Sequence, residues 1–217
     1  MQSLYQKYRP ESFAQVIGQS RALQQVRSSL ARGWGGRAFW ITGSSGTGKT
    51  SLARIIASQG ADEFFVEEYD SPAALMLADT ANHIESSMHF TAWGKGGRAF
   101  IINEAHGLRK PEIRWLLGVL ERIPPHVVFI FTTTKDSGAL FCDFQTDALP
   151  LLSRCQVIEL ADNHYVARAF AKACKKIAQI EKLDGRPLAD YVTLAKDCKT
   201  NFRAILQRIE AGQMKGR

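Results

Sequence analysis

No run of about 18 uncharged apolar residues occurs in the 217-residue sequence, so it offers no candidate for a membrane-spanning helix. The opening stretch MQSLYQKYRPES has no apolar segment of the kind a secretory signal needs. Cysteine is scarce and scattered. Cys142, Cys155, Cys174 and Cys198 include no C-x-x-C pair, which signals neither a zinc site nor a disulfide framework and reads as ordinary thiols. These absences lead us to expect a soluble, intracellular, cytoplasmic protein with no membrane partner.

What is present is enough apolar residue, 45%, to fill a real core, in a length that suits a medium α/β domain followed by a small helical one. The net charge of +7 is localised. Residues 1–162 carry 16 Lys/Arg against 16 Asp/Glu, whereas residues 163–217 carry 12 against 5, so the whole excess lies in the last 55 residues. Either an acidic partner for that region or a solvated, lysine-rich helical surface accounts for it.

The chemistry starts at residues 38–51. An apolar run, Ala38-Phe39-Trp40-Ile41, reads as a buried strand and passes into Gly43-Ser44-Ser45-Gly46-Thr47-Gly48-Lys49-Thr50, which fits G-x-x-x-x-G-K-[ST], with Ser51 following. In such a loop glycines let backbone N–H groups turn inward around phosphate oxygens, and the next helix points its positive N-terminus at the same anion. Lys49 would reach the β/γ-phosphates and the Thr50 hydroxyl would bind Mg²⁺.

Ahead of the loop, Tyr8-Arg9-Pro10 should be extended, because the residue before proline is steered out of the helical region. Ser20 can then cap a helix to about Leu30 with Leu23, Val26 and Leu30 on one face. After the loop we expect strands at 64–69, 99–102, 127–131 and 155–160, and helices at 72–88 and 110–122. Apolar strands alternating with helices predict an α/β fold, a five-stranded parallel sheet covered on both faces. Three helical patterns follow, at 163–181, 187–197 and 200–211, with apolar faces at Leu188, Tyr191, Val192 and Ala195 and at Phe202, Ile205, Leu206 and Ile209. The expected division is 1–161 for the nucleotide-binding α/β domain and 162–217 for a helical lid.

The strand at 99–102 ends in Asn103-Glu104. An acidic pair usually stands here in phosphate-loop proteins, the first carboxylate orienting Mg²⁺ and the second polarising the attacking water. Glu104 is the candidate base, and an amide holds the metal-side position.

Taken in order, YRPESF, VIGQ, GSSGTGKT, FIINEAH, FIFTTT, LLSRC and NFRAIL resemble the AAA+ ATPase module of sliding-clamp loaders, the bacterial gamma/tau and replication factor C small subunits, from Tyr5 to about Ile209. The resemblance implies an ATP-binding, Mg²⁺-dependent ATPase of DNA replication, slowed by Asn103. Its partners would be other clamp-loader-type subunits in a hetero- or homo-oligomer, a sliding clamp and primer-template DNA. It places Val16 and Ile17 at the adenine, Lys49, Thr50 and Asn103 at phosphates and metal, and Glu104 at the attacking water. Thr134, with Thr133 as the alternative, takes the strand-end position that feels the γ-phosphate. Arg154 becomes an arginine finger acting on a neighbouring subunit's nucleotide, and Arg203 the lid arginine that reports nucleotide state.

Three departures from that pattern stand out. The chain stops after the lid, where clamp-loader subunits continue into a helical collar. The connection between Thr134 and Ser153 is long, and its Phe141 and Phe144 suggest a packed insertion or partner contact. The zinc module of the bacterial branch is missing. A nucleotide-holding subunit that hydrolyses poorly, and an ATPase of transposition, recombination or phage replication, are the two alternatives.

Overall fold

The computed structural model describes residues 2–134 and 145–216; Phe141, Phe144 and Cys142 lie outside them. In chain order the elements are α1 (Leu4–Lys7), α2 (Ser20–Leu30), β1 (Arg37–Thr42), α3 (Lys49–Ser58), β2 (Ala61–Tyr69), α4 (Ala78–Met88), β3 (Gly97–Ile102), α5 (Lys110–Leu120) and β4 (Val127–Thr133), followed by α6 (Gln145–Ser153), β5 (Cys155–Glu159), α7 (His164–Ile180), α8 (Leu188–Asp197) and α9 (Phe202–Glu210). The five strands form one parallel sheet in the order β2-β3-β4-β1-β5.

The central strands read as continuous apolar runs because both of their faces are covered. Alternation sorts their side chains to opposite sides. Phe39, Ile41, Ala99, Ile101, Val128 and Ile130 pack against α2 and α3 through Val26, Leu52 and Ile56. Trp40, Phe100, Phe129 and Phe131 face the other way, onto Ile84, Ile113, Leu116 and Leu151 of α4, α5 and α6. The aromatic rings there lie 5.0 Å (Phe100 and Phe129) and 5.3 Å (Trp40 and Phe131) apart between centroids.

Helices α7 to α9 enclose a separate core built on Phe170, Cys174, Tyr191, Leu194, Ile205 and Ile209. Leu4 from α1 joins it, so the N-terminal segment packs against the C-terminal helices. Two further ties fix that arrangement. Lys7 Nζ and Tyr8 Oη both donate to the Glu181 carboxylate, at 2.7 and 2.5 Å. Gln19, buried at 2% exposure, exchanges two 2.8 Å hydrogen bonds with the backbone of Ala161 just ahead of α7.

Sequence expectation and structure differ in several places. Ser20 does not cap α2 but is its first residue, with Gln19 at the N-cap and no side-chain cap hydrogen bond, and Tyr8 closes a helical turn at φ −104° and ψ 25° and is not extended. The single helix expected at 72–88 is two pieces, a 3₁₀ turn at Pro72–Met76 and then α4, separated by Leu77 with ψ at 122°. Ser71 starts the first piece by accepting the Ala73 N–H, and the break lets Leu75 and Ile84 reach the same core. The stretch before Tyr8 contains a helical turn, α1, made favourable by burial of Leu4. The connection expected ahead of Ser153 is helical from Gln145, with Leu151 buried beneath α5.

Candidate nucleotide-binding site

The loop between β1 and α3 opens at the C-terminal end of the sheet, where parallel α/β folds take their ligands. Gly46 and Gly48 have φ of 74° and 101°, left-handed values that side chains rarely adopt. At Gly46 space is also short, since a Cβ there would come within 1.9 Å of Asn201 Oδ1. Gly48 has open space around it and stands at the N-cap of α3. Lys49, 8% exposed, donates to the carbonyls of Gly43 and Ser44 at 2.9 and 3.0 Å.

A cleft open to solvent runs from this loop to the N-terminal segment and α9. Most residues singled out from sequence line it: Val16 and Ile17, Ser45 through Ser51, Glu104, Thr134 and Arg203. Thr134 rather than Thr133 reaches the cleft; Thr133 is buried, its hydroxyl without a hydrogen-bond partner. Tyr5, Tyr8, Arg9 and Pro10 form the wall beside Val16, and Arg203 lies over the Tyr5 ring at 5.3 Å from its centroid. Burial, and then the neighbouring Arg54 cation, lower the pKa of the Arg9 guanidinium.

Gly43, Ser44 and Asn103 stand just behind the lining. The Ser44 hydroxyl donates to the Asp162 carboxylate, tying the loop to the segment that leads into α7. Asn103 Oδ1 accepts from the Thr50 hydroxyl at 3.2 Å and from the Thr132 hydroxyl at 2.8 Å. Its Nδ2 donates to Glu68 Oε1 at 2.7 Å, and Glu68 Oε2 accepts from Arg54 Nε at 2.6 Å. Glu104 is left-handed, with φ 51° and ψ 41°, an uncommon conformation for a residue with a Cβ. Its carboxylate sits 3.3 Å from His106 Nδ1 and is half exposed toward the cleft.

Arg154 is not a cleft residue. It follows α6, where Nη1 donates to the Pro150 carbonyl at 2.8 Å and Nη2 pairs with Glu121 after α5. Sequence reasoning missed Glu68, Arg54 and the participation of Phe170 and Phe202 in the cleft wall. The available signal was the charged pair Glu67-Glu68 inside an otherwise strand-like run.

No protein-family profile matches the chain. DNA polymerase III subunit tau of Escherichia coli is 30% identical to it over 179 residues, 71% of this chain and 26% of that protein. The gamma/tau subunit of Mycobacterium tuberculosis is 32% identical over 161 residues, 64% of this chain and 28% of that one. The tau subunit of Bacillus subtilis is 26% identical over 203 residues, 84% and 34%. The chain therefore spans about a quarter to a third of the length of these curated relatives. Among solved structures, a RuvB variant of Thermotoga maritima superposes with a TM-score of 0.71 at 21% identity, over 94% of this chain and 64% of that one, which shows a shared fold. The five-stranded parallel sheet with its phosphate loop, the helical region that follows it, and these relatives together make this chain an AAA+ module, homologous to the gamma/tau subunits of DNA polymerase III.

Proposed function

We propose that the chain binds Mg²⁺·ATP in this cleft and hydrolyses it as a clamp-loader-like subunit of DNA replication. The observation that carries the proposal is the convergence on one cleft of the phosphate loop, Glu104, Thr134 and Arg203, residues far apart in the sequence. Val16 and Ile17 take the adenine, with the Tyr5 and Tyr8 rings beside them. Gly43 through Ser51 cradle the phosphates with backbone N–H groups, and Lys49 exchanges its loop carbonyls for phosphate oxygens.

The donors fit a magnesium ion. The Thr50 hydroxyl and the Asn103 carbonyl are hard oxygen ligands at a helix N-terminus, the type this ion prefers. Among the described residues no group of three His, Cys, Asp or Glu side chains gathers to hold a metal, so the ion would enter with the phosphates. When bound, it neutralises charge that develops on the transferred phosphoryl group. Glu104 holds the attacking water and takes its proton. The left-handed backbone aims that carboxylate into the cleft, and strain of this kind concentrates at functional positions.

Arg154 faces away from its own cleft and serves the nucleotide of a neighbouring subunit, so two copies or a related partner complete the site. Residues 1–161 act as the nucleotide-binding unit and 162–217 as a lid, with α1 strapped across to the lid core. A slow, nucleotide-holding subunit is the second reading, and Asn103 favours it: an amide offers one carbonyl oxygen and no negative charge, a difference worth roughly 1–2 kcal/mol in a hydrogen bond.

The test is ATP turnover by purified protein, alone, with duplex DNA, and with a sliding clamp on primer-template DNA. Stimulation only by clamp and primer-template supports the clamp-loader reading. Stimulation by duplex DNA alone assigns the chain to another DNA transaction, and tight binding without turnover assigns it to the holding role.

A further inference from the structure

We propose that Glu68 supplies the metal-side negative charge that position 103 lacks, acting through the Asn103 amide. The proposal rests on the ATP reading above and goes beyond it by naming a positioning residue on a different strand.

Asn103 is 6% exposed and uses both ends of its amide. Two hydroxyls, from Thr50 and Thr132, donate to Oδ1, while Nδ2 donates to the Glu68 carboxylate at 2.7 Å. An ionised carboxylate only accepts, so Glu68 fixes which end of the amide turns toward Thr50. A hydrogen bond from an amide to a charged acceptor is strong, and it polarises the amide, making Oδ1 a better acceptor for whatever lies beyond it. The Thr50 hydroxyl lies beyond it, at the N-terminus of α3, where the cation would sit.

The placement of Glu68 supports this. It is paired in register with Ile101 on the edge strand β2, where a charged side chain ordinarily points to water. Instead it is only 20% exposed and spans Asn103 and Arg54. The position after it, Tyr69, accepts the Asn103 backbone N–H at 2.8 Å, so the main chains hold the two side chains together. The charge is moved one hydrogen bond away, not lost, so on this proposal hydrolysis should be slowed and not abolished.

A polarity swap tests this directly. In the double variant Asn103→Asp/Glu68→Gln, the new amide donates to the new carboxylate and its carbonyl accepts from Arg54, so every hydrogen bond keeps a partner while the charge moves to position 103. The readout is the Mg²⁺ concentration that half-saturates the magnesium-dependent gain in ATP affinity, measured by titration calorimetry with a magnesium-free titration as reference. Glu68→Gln alone should raise that concentration roughly tenfold, the ratio between charge-assisted and neutral hydrogen bonds. The double variant should return it to the parent value or below. Arg54→Gln removes the ion pair but keeps the charge, and should leave the requirement unchanged or lower.

An unchanged Glu68→Gln, a double variant as poor as Glu68→Gln, or a tenfold rise in Arg54→Gln would each overturn the proposal, the last by making Glu68 a structural ion-pair partner. Should Glu68→Gln be unstable, a double variant that needs more magnesium than the parent still overturns the proposal, and one that needs less supports it. A parent protein that binds no ATP, with or without magnesium, removes the ATP reading and this inference together. A parent that binds while Glu68→Gln shows the parent's magnesium response removes this inference only.

Discussion

The Phe202 backbone N–H donates to the Gly46 carbonyl at 3.1 Å, joining the first turn of α9 to the middle of the phosphate loop. Asn201, which caps α9 by accepting the Ala204 N–H at 3.0 Å, lies directly against Gly46. Whatever moves the loop when phosphates bind must therefore move or release the C-terminal helices. The Ser44 to Asp162 hydrogen bond adds a second tie between the same two parts.

Gly46→Ala should break this joint. The added Cβ meets Asn201 and the residue must hold a left-handed φ, which costs about 1–2 kcal/mol before any clash. We expect a melting temperature lower by several degrees and ATP affinity weaker by at least tenfold. Normal melting and normal affinity would show that the loop and α9 are not coupled.

Glu104 should trade stability for activity. Its φ of 51° is strained for any residue with a Cβ, and glycine relieves the strain at the cost of extra chain entropy in the unfolded state. Glu104→Gly should melt no lower than the parent, and Glu104→Gln should melt like it. Both should bind ATP and lose hydrolysis. A drop of more than a few degrees in Glu104→Gly would give Glu104 a structural role instead.

Arg154→Ala should keep ATP affinity and lose turnover by a factor of about 10³–10⁵, the range for arginine fingers at related sites. Mixing it with Glu104→Gln should restore part of the activity, because one mixed interface then carries both intact groups. If the mixture assembles yet stays as inactive as its components, catalysis is not shared between subunits.

The helices α7 and α8 share an acid-sensitive contact. Lys175 Nζ hydrogen-bonds Asp184 at 2.8 Å and Tyr191 Oη donates to the same carboxylate at 2.9 Å. The Lys175 hydrogen bond is the main reason the Asp184 carboxyl is held down at about 2, from an ordinary 3.8. A lowered folded-state pKa stabilises the fold at pH above the unfolded value and stops doing so as pH falls through the folded value. The stability of the α7 to α9 region should therefore drop between about pH 4 and pH 2. Asp184→Asn should lower the melting temperature at pH 7 by roughly 2–4 °C and flatten the loss over that window. An equal acid response in the variant would place the sensitivity elsewhere.

Sequence made some of this legible for a physical reason. Strands β1, β3 and β4 are buried on both faces, so they appear as unbroken apolar runs, and the phosphate loop is contiguous, so its spacing alone identifies it. Helices α7 to α9 carry their apolar faces at regular helical intervals and pack as that periodicity implies. What stayed hidden depends on contacts between distant positions. Helix α1 is four residues long, too short to form on propensity, and exists because Leu4 is buried in the core of α7 to α9. Glu68 and Asn103 are 35 residues apart and meet only once β2 pairs with β3. The pairing of Arg154 with Glu121 and the docking of α9 on Gly46 likewise leave no local pattern to read.

The most direct measurement is titration of ATP into the parent protein and Lys49→Ala, with and without Mg²⁺, up to millimolar nucleotide. Lys49 is the side-chain cation that the phosphate loop itself carries, nearly buried against the loop carbonyls. We expect magnesium-enhanced binding by the parent, lost in Lys49→Ala while the variant remains folded. A parent without measurable affinity, or a Lys49→Ala variant that binds as well as the parent, would contradict the assignment of this cleft to ATP.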